Sequence, residues 1–93
     1  MAIHDNRKVV AAAGTREPLV AASTIARWAM ITAETDNTDY IVVGSKTVVA
    51  ALATRRGTPL SAGDHASLPV DNLADIYLDA LVSGEGATFT YFT

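Results

Sequence analysis

Apolar and polar residues alternate along several short segments of the chain. Residues 64–70 alternate, with Leu68 on the apolar face. Residues 76–82 alternate around Leu78, and residues 87–92 follow the same period. A period of two predicts β-strands that bury one face and expose the other.

Turn-forming residues separate these segments at intervals of about 8–12 residues. The turns between the segments are rich in Gly, Pro, Asn, Asp and Ser. These residues favour turn conformations or form hydrogen bonds with the nearby backbone. The clearest of these turns are Gly14–Pro18, Asp36–Asp39, Gly44–Lys46, Asp71–Leu73 and Ser83–Gly86. The last of them reads as a hairpin-type turn. The pattern predicts an all-β domain, a compact antiparallel β-sandwich or jelly-roll-like barrel.

One segment departs from this pattern. Residues 47–56 contain good helix formers and begin with Thr47, a suitable N-cap. They end with Arg55 and Arg56, followed by Gly57, as helices often do. The segment therefore predicts either a short helix or an irregular crossing strand that connects two sheets.

Composition limits the size and the surface of the domain. The 93 residues are 49% hydrophobic and only 18% charged, below the ~25% charge typical of soluble domains. We expect a single β domain over residues 9–93, preceded by a free N-terminal arm of residues 1–8. So little charge leaves apolar surface for a partner to cover, and we expect a homo-oligomer, with a trimer favoured.

Charge and cysteine content exclude several classes of function. Seven Lys and Arg against ten Asp and Glu give a net charge of -3, which argues against a nucleic-acid partner. The absence of cysteine excludes disulfides and thiol chemistry. No apolar run is long enough to cross a membrane, and the N-terminus lacks the apolar core of a signal peptide.

Candidate catalytic residues are sparse. His65 sits on the polar face of an expected strand, and no Gly-x-Ser-x-Gly motif accompanies it. Asp36–Asp39 offers oxygen ligands, but lacks the spacing of a calcium loop. The acids Asp64, Asp71, Asp75 and Asp79 read as a solvated edge. We predict neither an enzyme nor a cofactor.

The candidate interface residues are charged or apolar. Four lie near the two ends of the chain, and two form an adjacent pair of arginines. Arg is enriched at interfaces, and a last strand with large residues on both faces invites a neighbouring subunit. The candidates are Ile3, Arg7, Lys8, Arg55, Arg56 and Phe92. For Trp28 the sequence allows two roles, packing in the core or forming an aromatic platform that binds a sugar.

A series of motifs resembles small virion proteins of tailed bacteriophages. The motifs are Asp36–Gly44, Gly57–Asp64, Pro69–Ala80 and Ser83–Gly86. They are similar to an Asn-Thr-Gly, strand, Val-Gly signature, a Pro-Leu-x-Ala-Gly-Glu signature and an Asp-Asn-Leu-x-x-Ile-Tyr signature. Asp39 stands where the family usually has Gly.

The resemblance implies a structural protein of the capsid decoration, or cement, kind. Such a protein is made in the host cytoplasm, binds the major capsid protein on the outside of the virion and stabilises the shell. The alternative is a tail or head-fibre component with a glycan-binding face. An exposed aromatic platform around Trp28 favours the alternative, and a buried Trp28 with an apolar inter-subunit face favours the cement protein. The family implies no catalytic residues.

Overall fold

The fold is described by a computed structural model that covers residues 2–93. These residues contain eight strands and two short 3-10 helices, Leu52–Thr54 and Leu73–Asp75. The strands are β1 (Ile3–Val9), β2 (Glu17–Pro18), β3 (Trp28–Ala33), β4 (Ile41–Gly44), β5 (Thr58–Leu60), β6 (His65–Pro69), β7 (Tyr77–Ala80) and β8 (Gly86–Phe92).

The strands form two antiparallel sheets of four, as the alternating pattern predicts. The first sheet has the order β1-β8-β3-β6 and the second has the order β2-β7-β4-β5. Their inner faces enclose one continuous core, whose largest fully buried side chains include Ile31, Ile41, Leu73 and Leu78. The prediction of an all-β sandwich is confirmed.

The strand faces follow the alternation read from the sequence. In β6, Ala66 and Leu68 pack against the core while His65 is exposed. In β7, Leu78 and Ala80 are buried in the core between the sheets. In β6, burial of the apolar face thus fixes the register, because a slip of one residue exposes Ala66 and Leu68.

The segment 47–56 crosses over the outer face of the second sheet. Only Leu52–Thr54 forms a 3-10 turn, and Val49 pairs with Arg56 in an isolated β-bridge. The helical alternative is therefore limited to three residues. Val48 and Ala50 are buried against Val42, and this packing outweighs the helical preference of the segment.

The structure corrects the expectation of a free N-terminal arm over residues 1–8, of which residue 1 lies outside the described part of the chain. Ile3–Val9 forms β1 and pairs with β8 along its whole length, from Ile3 opposite Phe92 to Val9 opposite Gly86. Most of β1 is exposed. Its residues from His4 to Lys8 are all polar, so the sequence has no apolar face that predicts a strand. Backbone hydrogen bonding to β8 holds it in place, and the boundary after residue 8 falls inside a strand.

The sequence suggests that the Ser83–Gly86 turn joins two strands of a hairpin, and the structure shows that it does not. It carries the chain from β7 in the second sheet to β8 in the first sheet. Gly86 opens β8 at a close approach to β1, where an added Cβ collides with the Lys8 carbonyl oxygen and lies 2.8 Å from the Val9 Cα. Only glycine fits this crossing point.

Candidate docking surface on the first sheet

The outer face of the first sheet carries side chains in rows that run across its four strands. Strand register aligns Ile3, Phe92, Trp28 and Pro69 in one row at the sheet end. We call these four side chains the apolar row. Ile3 is 68% exposed, and the other three are exposed or half-buried. The row places adjoining apolar side chains on a surface that no part of residues 2–93 covers with a further layer.

Two aromatic rings form the middle of the apolar row. The rings of Trp28 and Phe92 stack with centroids 5.1 Å apart and planes 13° from parallel. Side chains of a strand stand roughly perpendicular to the sheet, so each ring turns one face to the other ring. The arrangement therefore presents ring edges outward rather than a flat platform on which a sugar stacks.

The rest of the outer face is mostly polar, with Met30 as an apolar member of the next row. The next aligned residues are Asp5, Thr90, Met30 and Ser67, and the third set is Arg7, Thr88, Thr32 and His65. Arg7 binds Glu34 through two hydrogen bonds, from Nε at 2.7 Å and from an amino nitrogen at 2.9 Å. Hydrogen bonding to Glu34, with its negative charge, raises the pKa of Arg7.

The second sheet differs because the segment 47–56 already covers its outer face. Asp79 lies on that face and is only 2% exposed. One carboxylate oxygen accepts a hydrogen bond from the Ala50 N–H at 2.9 Å, and the other accepts from the Gly14 N–H at 3.1 Å. Asp79 thereby fastens two loops to the sheet. The expectation that it belongs to a solvated edge is wrong.

The six predicted interface residues do not converge on one site. Ile3 and Phe92 are cross-strand neighbours in the apolar row, and Arg7 lies on the same face at its polar end. Lys8 is on the other side of β1, where it forms an ion pair with Glu17 at 3.1 Å.

The basic pair lies on the covering segment of the second sheet, away from the other candidates. The Arg55 guanidinium sits 5.2 Å from the centre of the Tyr40 ring, and its Nε donates to the Ala50 carbonyl at 3.0 Å. Arg56 is exposed and exchanges backbone hydrogen bonds with Val49.

The turn considered for calcium binding, Asp36–Asp39, is bound to Glu85 through Thr38 and Asp39. The Glu85 carboxylate accepts hydrogen bonds from the N–H and hydroxyl groups of Thr38 and from the Asp39 N–H, at 2.6–3.2 Å. Desolvation, the largest single influence, opposes ionisation of Glu85, but the hydrogen bonds from Thr38 and Asp39 together outweigh it and lower its pKa. Within residues 2–93, no three His, Asp or Glu side chains gather as a metal site.

Sequence reasoning missed the apolar row as a unit. Its members lie on four strands that are far apart in the chain, and only the strand register brings Pro69 and Ile3 into line with Trp28. The alternation within each strand identifies which side chains share a face, but not which strands are neighbours.

No helix within residues 2–93 has the length and apolar character needed to cross a membrane. Comparisons with protein-family models, with curated proteins and with solved structures found no match.

Proposed function

We propose that this chain is a capsid decoration protein of a tailed bacteriophage, which binds the outer surface of the shell and stabilises it. The observation that carries the proposal is the apolar row, a set of adjoining apolar side chains on an uncovered sheet face. Apolar surface of this kind marks sites of protein contact. The motif resemblance supplies the partner, the major capsid protein.

The mechanism follows from mass action. A ligand that binds the assembled shell and not its dissociated subunits lowers the free energy of the assembled state. Burial of the apolar row contributes the hydrophobic part of this binding, about 25 cal/mol per Å² of apolar surface removed from water. The homotrimer expected from the sequence matches three-fold positions of the shell, and a dimer matches two-fold positions.

The alternative is a tail or head-fibre component with a glycan-binding face. The position of Trp28 supports it, because the ring is half-buried on the outer face rather than enclosed in the core. The stacking of Trp28 on Phe92 weighs against it, because it takes up one face of the ring on which a sugar would stack. The decoration function therefore accounts better for the geometry.

Two matched variants test the docking surface. Ile3 in the apolar row and Leu52 on the covering segment of the second sheet are both large apolar side chains, 68% and 78% exposed. Replacing either by Lys removes an exposed side chain and leaves the core intact. We expect Ile3→Lys to weaken binding to undecorated capsids of the cognate phage at least tenfold, and Leu52→Lys to bind like the wild type.

The readouts are co-sedimentation with the capsids and the temperature at which the capsids disrupt. The expected wild-type result is saturable binding that raises the disruption temperature. Saturable binding that both variants retain refutes the role of the apolar row. Absence of any wild-type binding refutes the decoration function.

A further inference from the structure

The free edge of β1 is an open row of backbone hydrogen-bonding groups. The Val10 N–H donates to the Glu85 carbonyl, and the Ala2 carbonyl accepts from the Thr93 N–H. In an antiparallel pair these bonds recur at every second residue, so the even-numbered residues of β1 bond to β8. The backbone groups of the odd-numbered residues Ile3, Asp5, Arg7 and Val9 therefore point away from the sheet.

We propose that β1 is a self-recognition edge, at which two copies of the chain pair antiparallel about a two-fold axis through Asn6. This pairing sets Ile3 opposite Val9 and Asp5 opposite Arg7 of the second copy. It matches odd-numbered residues with odd-numbered residues, so the outward N–H and C=O groups of each copy meet those of the other. The two four-stranded sheets then join into one sheet of eight strands.

Charge complementarity selects this register among the self-pairings. With the axis at Asn6, Asp5 meets Arg7 twice, once on each side of the axis. Arg7 keeps its hydrogen bonds to Glu34, and its side chain is 60% exposed, so the second carboxylate reaches its open side. Moving the axis to Asp5 places two carboxylates opposite each other, and moving it to Arg7 places two guanidinium groups opposite each other. Like charges directly opposite destabilise a strand pair, and opposite charges stabilise it. Asp5 is exposed and forms no ion pair within residues 2–93.

The pairing also gives the apolar row an apolar neighbour at its Ile3 end and leaves Phe92, Trp28 and Pro69 uncovered. Ile3, which is 68% exposed, gains the Val9 side chain of the second copy as its neighbour. A two-fold axis perpendicular to the sheet leaves both outer faces on the same side. In the single chain the Asn6 side chain occupies the outward Arg7 N–H at 2.8 Å, and this contact opens when the strands pair.

Reversal of single charges tests the pairing in solution. Asp5→Arg sets Arg against Arg at both contacts, and Arg7→Glu sets Asp against Glu, so each variant alone is expected to be monomeric. Mixed together, the two variants place opposite charges at both contacts and are expected to form a heterodimer. Circular dichroism and thermal unfolding check that each variant is folded.

The first readout is molar mass by light scattering over a range of micromolar to millimolar concentrations. We expect the wild type to reach twice the chain mass of 9.7 kDa, the single variants to stay at the chain mass, and the mixture to recover the doubled mass. A wild type that remains monomeric, or one that forms the trimer expected from the sequence, overturns the pairing. So do single variants that keep the doubled mass.

A cysteine at the axis provides a second readout. Asn6 and its symmetry mate form a non-hydrogen-bonded pair, for which a Cα separation of about 4.5 Å falls within the range that a disulfide spans. The native chain has no cysteine, so Asn6→Cys introduces a single thiol. We expect it to form a disulfide-linked dimer under mild oxidation much faster than Leu52→Cys. Equal rates for the two variants contradict the register.

Discussion

Asp79→Ala tests whether a buried carboxylate holds the covering segment on the second sheet. The change removes the acceptors of the Ala50 and Gly14 N–H groups, and also of the Ala80 N–H, which donates to Asp79 Oδ1 at 2.9 Å. Gly14 keeps a second acceptor, the Ala80 carbonyl at 3.2 Å, whereas Ala50 is 1% exposed and has no other acceptor within residues 2–93. An unsatisfied buried N–H costs about 1–3 kcal/mol.

Loss of the carboxyl group also leaves a small void, and removal of a buried charge recovers part of its desolvation cost. We therefore expect a net loss of about 2 kcal/mol in the free energy of unfolding, measured by urea denaturation. Faster trypsin cleavage after Arg55 or Arg56 is expected to accompany it, since the segment is released. Asp71→Ala, at an exposed turn, is the control and is expected to change stability by less than about 0.5 kcal/mol. An Asp79→Ala protein as stable as this control refutes the anchoring role.

Further predictions concern the core, the strand crossing and the response to acid and chelator. Leu78→Ala, at a fully buried site, is expected to cost about 2–5 kcal/mol by urea denaturation, and a loss below about 1 kcal/mol contradicts the assigned strand face. Gly86→Ala forces β1 away from β8 and is expected to cost about 1–3 kcal/mol in the same assay. Hydrogen bonds from the Ala11 N–H and from Lys8 lower the pKa of Glu17, so its stabilisation is present above the unfolded-state value of about 4.3 and is lost as the pH falls through the lower folded-state value. Glu17→Gln is expected to flatten this acid dependence of the urea midpoint, and an unchanged pH profile contradicts it. A chelator is expected to leave Tm unchanged, and a large drop reveals a missed metal site.

The parts of the fold that were predictable are those in which one strand's own side chains carry the signal. In the sequence, Leu68 and Leu78 alternate with residues such as Ser67 and Asp79, and this alternation identifies their strands. Strand β1 gives no such signal, because the polar sequence from His4 to Lys8 has no apolar face and the strand forms through backbone bonds to β8.

Partners distant in the sequence explain the remaining differences. Asp79 is buried because Gly14 and Ala50 supply N–H donors from two remote loops, and no local pattern identifies such donors. The segment 47–56 has the composition of a helix, but anchoring at Ala50 and packing of Val48 on the second sheet keep most of it out of a helix. The apolar row likewise depends on the order of strands in the first sheet.

The most direct measurement of the central claim is a cryo-electron microscopy reconstruction of cognate capsids mixed with the protein. We predict density for the β-sandwich on the outer surface of the shell, with the apolar row of Ile3, Phe92, Trp28 and Pro69 buried against the major capsid protein. Contact through the covered second sheet contradicts the proposed docking surface. Density confined to the tail or head fibres, or none on the virion, contradicts the decoration function.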